Sequence, residues 1–149
     1  MSTGKYDSLK LKNQLCFPLY AASREIVKRY RPYLDDLNLT YTQYITMMVF
    51  WEEKLLNVKE LGKKLFLDSG TLTPVLKSLE NKGYVRRYRS TTDERVLLVE
   101  ITAAGEALQE QAQSIPQSVF GELPLNTDEA AQLYRLLYQV LSVSGDKRE

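Results

Sequence analysis

The chain has 149 residues, 44% of them hydrophobic and 26% charged, with a formal charge of +1, one cysteine and no histidine. That length suits one domain with a substantial core. The missing histidine excludes Ser/His/Asp and Cys/His nucleophilic machinery, imidazole metal ligands and an imidazole pH switch. A single cysteine excludes thiolate metal clusters and an internal disulfide, so carboxylate chemistry, a lone reactive thiol or binding without catalysis remain.

From about residue 9 to residue 34 apolar side chains recur at helical spacing, at Leu11, Leu15, Leu19, Ala22, Ile26 and Tyr30, which predicts a long N-terminal helix. Pro18 fits only a first turn, so the helix either starts near residues 13–15 or bends at the proline. Thr40 with Gln43 three residues on is a capping box leading into Tyr44, Ile45, Met47, Met48, Phe50 and Trp51. Asn57 and Glu60 repeat the spacing and open a short helix with Val58, Leu61 and Leu65 on one face. Asp68 or Ser69 caps the next helix, whose inward face is Leu72, Leu76 and Leu79, with Pro74 near its start and Gly83 as its glycine cap.

After Gly83 the spacing changes. Residues 84–89 and 95–101 are rich in β-branched, aromatic and aliphatic side chains and flank a polar stretch at 90–94, which predicts a β-hairpin with a charged tip. Thr102 caps a helix through Ala103, Leu108 and Ala112 that is disturbed at Pro116. The last helix starts at Asn126 or Thr127 and carries Ala130, Leu133, Leu137 and Leu141 as a stripe. No run of about 20 apolar residues and no secretory signal core is present, which predicts a cytoplasmic protein with a reduced thiol.

Charge is unevenly placed. Between Lys54 and Arg95 ten basic residues face five acids, a segment of +5, and the rest of the chain, with ten basic and fourteen acidic residues, is −4. A basic centre between acidic flanks fits one face that meets a polyanion. Helix, short turn, helix and hairpin in that order make a winged helix-turn-helix, and the +5 segment coincides with it. The fold class is therefore mainly α with a small β-hairpin wing.

In such a module the second helix enters the major groove. Its outward positions are Ser69, Gly70, Thr71, Thr73, Pro74, Lys77, Ser78 and Asn81, where small hydroxyl residues and glycine permit close approach to phosphates and base edges. Arg95 at the hairpin tip is the candidate for minor-groove insertion, with Asp93 or Glu94 orienting an arginine. Arg86, Arg87 and Arg89 cannot all reach the DNA backbone, because they alternate across a strand. The terminal helical segments carry apolar stripes that serve either a dimer interface or packing onto the module. A two-fold dimer with recognition helices about 34–36 Å apart reads a pseudo-palindrome.

If Pro18 marks a first turn, Cys16 sits at a helix N-terminus, where open N–H groups and the macrodipole favour a thiolate. Isolated cysteines are also often small buried hydrophobes. Tyr20, Tyr30 and Tyr41, from a chain unusually rich in tyrosine, are candidate hydrogen-bond donors to that sulfur.

These residues carry a resemblance. Asn13, Gln14, Leu15, Cys16 and Phe17 followed by Tyr20, Ala21, Ala22, Ser23, Arg24 and Glu25 resemble the N-terminal signature of the organic-hydroperoxide-sensing repressors (OhrR) of the MarR family. So do the residues from Leu67 through Pro74, and Asp93, Glu94 and Arg95 with Leu98, Thr102 and Gly105. The resemblance implies a single MarR-like domain over 1–149, with dimerisation and second helices at about 9–53, the winged module at about 54–101 and dimerisation helices at about 102–149. It implies a homodimeric regulator that binds operator DNA while Cys16 is reduced. Tyr20, Tyr30 and Tyr41 correspond to tyrosines that hydrogen-bond the sensing cysteine, the latter two from the partner subunit. Ser69, Gly70, Thr71, Thr73, Pro74, Lys77, Arg86 and Arg95 are the DNA-binding set, with Asp93 as wing support; no metal or cofactor is implied. Organic hydroperoxide is the signal, and the missing second cysteine points to a mixed disulfide with a small thiol or to over-oxidation. Pro18 departs from the family, in which an aliphatic residue is more usual. Related one-cysteine regulators of general oxidative stress and virulence share these motifs. Two other readings are a MarR-type regulator released by a non-covalent phenolic or lipophilic ligand, and a thiol peroxidase, which the missing resolving cysteine disfavours.

Overall fold

Pro18 decides where the first helix begins. In this computed structural model, which describes residues 4–143, helix α1 spans Cys16–Asp35 and the proline falls in its first turn. Pro18 has no N–H for the Gln14 carbonyl and its ring crowds that carbonyl, so a first-turn position, with the helix starting after Gln14, costs least. The residues expected to be helical from residue 9 instead form two short 3-10 turns, Asp7–Leu9 and Leu11–Asn13. The Asn13 carboxamide donates to the Asp7 carbonyl at 2.7 Å and that of Gln14 to the Ser8 and Lys10 carbonyls at 2.6 and 2.9 Å, which holds these turns together.

The other helices of the module start at side-chain caps. Helix α2 (Tyr41–Glu53) has a complete capping box between Thr40 and Gln43. Asn57 accepts from the Glu60 N–H before α3 (Val58–Leu65), Asp68 from the Thr71 N–H before α4 (Ser69–Asn81), and Thr102 from the Gly105 N–H before α5 (Ala103–Ala112). Each such cap contributes about 1 kcal/mol. Helix α4 ends at a left-handed Gly83, φ +82°, whose N–H and that of Tyr84 reach back to the Glu80 and Leu79 carbonyls at 2.9 and 3.0 Å. That double return is a Schellman closure, which favours glycine because a Cβ is strained at that φ.

Three antiparallel strands form the sheet in the order β1-β3-β2. Strands β2 (Val85–Arg89) and β3 (Leu97–Ile101) are the expected hairpin, with Val85 opposite Ile101 and Arg89 opposite Leu97. Strand β1 (Leu55–Asn57) pairs with the other edge of β3, Leu56 opposite Val99. Three residues are too few to show an alternation, and Asn57 also serves as a cap, so periodicity gave no sign of it.

The chain divides into two compact units, one ending at Pro116 and one beginning at Gln117. In the first, Leu34, Tyr44, Met47, Phe50, Leu61, Leu72, Leu76, Leu79, Val85 and Val99 are all buried. Pro116 lies in the first turn of α6 (Ile115–Gly121), which explains the break after α5. In the second unit α7 (Thr127–Leu141) opens with a capping box between Asn126 and Glu129 and presents Leu133, Leu136, Tyr134, Tyr138 and Val140 as exposed apolar side chains. No helix among the described residues is long and apolar enough to cross a membrane.

One glycine fixes how α5 meets the sheet. A Cβ on Gly105 lies 2.2 Å from the Tyr84 carbonyl oxygen and 2.8 Å from Ile101, and the Trp51 indole donates to the Gly105 carbonyl at 2.9 Å. Gly105→Ala must push α5 off the start of β2. The expected cost is about 1–3 kcal/mol, read as a lower urea midpoint with an unchanged m-value.

Candidate nucleic-acid interface and thiol site

Burial of Leu72, Leu76 and Leu79 sets the rotation of α4, and Ser69, Gly70, Thr71, Thr73, Pro74 and Lys77 are all exposed as a result. Asp68 is the cap, its carboxylate accepting from the Thr71 N–H at 2.7 Å, which leaves the Ser69 hydroxyl outside the cap. Thr73 donates back to the Ser69 carbonyl at 2.7 Å, which fixes its rotamer. Pro74 offers no N–H to the Gly70 carbonyl, so the reading end of the helix has an acceptor without its helical partner. Ser78 is not an outward position: it is half-buried and accepts from the Gln43 carboxamide at 2.9 Å.

The wing is organised by three carboxylates. Asp93 accepts from the Arg95 backbone N–H and Nε at 3.1 Å and from Nη2 at 3.2 Å, holding the guanidinium at the tip while the Arg95 side chain stays 90% exposed. The arginine side chain, then its backbone N–H, keep the Asp93 carboxyl below the usual carboxylate range. Glu80 of α4 accepts from the Arg87 backbone N–H at 2.8 Å and from its guanidinium at 3.2 and 3.3 Å, and the backbone bond foremost lowers its carboxyl. This tie between recognition helix and wing escaped the sequence reading, because seven-residue spacing across a turn has no pattern to detect. Arg86, expected on the DNA, pairs with Glu100 at 2.7 Å and lies over the Tyr88 ring at 4.6 Å, so its charge is neutralised in the unbound chain. Lys54 and Lys64 pair with Glu106 and Glu53 at 3.1 Å. Among the exposed basic side chains of the winged module, Lys59, Lys63, Lys77 and Arg89 stand outside these pairs, and Arg95, although held by Asp93, stays turned to solvent.

The thiol end of the site is open. Cys16 is exposed and is the first residue of α1, whose N-cap Leu15 supplies no side-chain hydrogen bond. The N–H groups of Cys16 and Phe17 therefore lack helical partners, and Pro18 has none to offer. Tyr20 stands one turn on, exposed, with the Arg24 guanidinium 5.6 Å from its ring. Leu11, Leu15, Phe17 and Leu19 around it are exposed as well.

Tyr30 and Tyr41 meet elsewhere. Their ring centroids are 5.0 Å apart, and Tyr44, read from sequence as core only, completes a triad at 5.6 and 6.2 Å. Burial pushes all three hydroxyls up, Tyr44 to about 12, with the neighbouring phenols adding to the effect at Tyr41 and Tyr44. They remain protonated donors. Fourteen residues of helix separate Cys16 from Tyr30, about 21 Å at 1.5 Å per residue, so one chain holds Cys16 with Tyr20 and, separately, Tyr30 with Tyr41. No group of three or more metal-ligating side chains occurs among the described residues.

The sequence profile of the transcriptional regulator SarA/Rot family matches residues 28–112. The organic hydroperoxide resistance transcriptional regulator of Bacillus subtilis (strain 168) is 46% identical over 143 residues, 96% of this chain and 97% of that protein. The HTH-type transcriptional regulator SarZ of Staphylococcus saprophyticus is 47% identical over 127 residues, 85% of this chain and 87% of that one. Among solved structures, reduced AbfR of Staphylococcus epidermidis bound to DNA matches with a TM-score of 0.77 and 36% identity over 93% of this chain and 96% of that chain. Overoxidized AbfR bound to DNA matches at 0.75 and 36%, over 93% and 97%. A Cys-to-Ser mutant of E. coli MarR complexed with operator DNA matches at 0.79 and 28%, over 93% and 99%.

The raised tyrosines make stability depend on alkaline pH. In the unfolded chain phenols ionise near pH 10, whereas the folded triad resists ionisation, so its contribution is fully present below about pH 10 and is lost as pH climbs towards 12. Urea stability measured from pH 8 to 12 is expected to fall over that window, and Tyr44→Phe to make the fall shallower.

Proposed function

The chain belongs to the MarR family of winged helix-turn-helix transcriptional regulators, among the one-cysteine organic-hydroperoxide (OhrR) type, and on that premise we propose how it works: two copies hold a pseudo-palindromic operator while Cys16 is reduced and leave it when an organic hydroperoxide oxidises that sulfur. It is a redox-sensing DNA-binding regulator rather than an enzyme. The observation that carries the proposal is the separation of Cys16 from the Tyr30 and Tyr41 pair along α1. The two halves meet only if a second copy brings its tyrosines to the sulfur, and the exposed Leu15, Phe17 and Leu19 supply an apolar face for that copy.

In the proposed reaction the Cys16 thiolate attacks the terminal oxygen of the hydroperoxide. A sulfur–oxygen bond forms, the oxygen–oxygen bond breaks, and the leaving alkoxide takes a proton to become an alcohol, so the sulfur is left as a sulfenic acid. Protonated phenols from the partner's triad donate to the sulfur before the attack and to the new oxygen after it. A small cytoplasmic thiol then condenses with the sulfenic acid, forming a mixed disulfide and releasing water. The bulk of that adduct, rather than further oxidation, is assigned the release step; AbfR, one of the matched proteins, was solved on DNA in both its reduced and its overoxidized form.

On the DNA, Ser69, Gly70, Thr71, Thr73, Pro74 and Lys77 face the major groove, Arg95 the minor groove beside the wing, and Lys59, Lys63 and Arg89 the phosphates. Arg86 joins them if phosphate displaces Glu100. Cys16→Ser is expected to bind operator like the wild type and to stay bound under cumene hydroperoxide with a small thiol; release at wild-type peroxide doses in a mobility shift would overturn the proposal. Thr71→Ala and Thr73→Ala are expected to weaken specific binding by about 1–3 kcal/mol each and non-specific binding far less, in titrations at one fixed salt concentration.

A further inference from the structure

The redox reading needs a path from the tyrosine triad to the recognition helix, and the two lie on opposite sides of one helix turn. Tyr41 and Tyr44 of α2 pack with Tyr30, while Gln43, between them in sequence, points the other way and is only 7% exposed. Its carboxamide nitrogen donates to Ser78 Oγ of α4 at 2.9 Å. Its oxygen accepts from the Thr40 N–H at 3.1 Å and from Lys82 Nζ at 3.0 Å. Lys82 also donates to the carbonyl of Asn38, a left-handed residue in the corner between α1 and α2.

We infer that Gln43 is the positioning residue that transmits the state of the tyrosine triad to α4, by locking the α1–α2 corner to Ser78 and Lys82 in the register that DNA binding requires. The inference rests on the redox reading above. A buried carboxamide with every polar atom engaged adds little stability over an apolar residue of similar size, but its bonds have direction, so it admits one register where leucine admits several. Ser78 lies in the last turns of α4 and Lys82 is its C-cap, whereas the proposed reading residues run from its first residue, Ser69, to Lys77. A helix moves as a rod, so a shift of the corner becomes a tilt at the reading end. None of the three side chains belongs to the proposed DNA-contact set, so their removal acts on coupling and not on recognition.

The test is an anisotropy titration of the full-length protein on a duplex selected from a random-sequence pool by the reduced wild type. Each protein is measured reduced and after treatment with cumene hydroperoxide and cysteine, with mass measurement confirming the adduct on Cys16. The readout is the ratio of reduced to oxidised affinity. Gln43→Leu and Ser78→Ala are each expected to narrow that ratio about threefold or more, and the double variant no further than the larger single. Gln43→Glu is expected to restore it, because a carboxylate accepts from the Thr40 N–H, the Lys82 ammonium and the Ser78 hydroxyl. A wild-type ratio well above one that both single variants leave unchanged, even with a lowered melting temperature, overturns the relay alone. A wild-type ratio of one overturns the redox reading and the relay together.

Discussion

The rotational setting of α4 is the constraint on which the rest of this module depends. Three leucines at i, i+4 and i+7 are driven into the core, each burial contributing about 1.5–3 kcal/mol, and no other orientation of the helix buries all three. Everything polar on the helix is then placed by geometry. Its first two turns present hydroxyls, a glycine and a proline outward; Ser78 is turned to α2 and Glu80 to the wing. The recognition surface is thus tied on one side to the corner that carries the tyrosines and on the other to β2 through Arg87, so helix and wing approach DNA as one piece.

A second constraint acts along α1. The helix is stiff and 20 residues long, and it places the thiol at one end and a phenol near the other. In a single chain this arrangement keeps the thiol apart from the Tyr30 and Tyr41 pair. In the proposed dimer the same length becomes the device that makes the sensor a property of the pair, because oxidation at one copy's Cys16 is felt by the other copy's triad and by the α2 on which it stands. The protonated state of that triad is secured by burial and by the mutual proximity of its members, which oppose ionisation together.

What was legible in the sequence were the features whose physics is local. Thr40 with Gln43, Asp68 with Thr71, Thr102 with Gly105 and Asn126 with Glu129 each satisfy backbone donors three residues away, so helix starts read correctly. The leucine stripe of α4 and the exposure of its reading face followed from periodicity alone. What escaped lies in contacts between distant segments. Strand β1 exists only because β3 offers it an edge, Ser78 looks outward until Gln43 claims it, and Arg86 looks available until Glu100 neutralises it. For α1 the sequence leaves two possibilities, a start near residues 13–15 or a bend at Pro18, and the structure takes the first, with Leu15 as N-cap and Pro18 in the first turn. Tyr44 was seen as core because its spacing is that of a core residue; only packing shows that it also completes the phenol cluster.

The pairing of charges also changes how the switch must work. The +5 of the central segment is not all available to DNA, because Lys54, Lys64, Arg86, Arg87 and Arg95 spend charge on neighbouring carboxylates. On the proposed reading a single copy with so few outward cations binds a half-site weakly, and apart from Lys77 the residues facing the major groove are uncharged groups that contribute only when closely fitted. In the proposed dimer two linked copies gain by effective concentration what neither has alone, provided both recognition helices meet the groove at the same spacing. Releasing such a pair does not require unfolding a module or reversing a charge. On the proposed relay, a change of register at the corner that Gln43 locks, passed through α4, is enough to take one recognition helix of the dimer out of the groove, and most of the affinity goes with it.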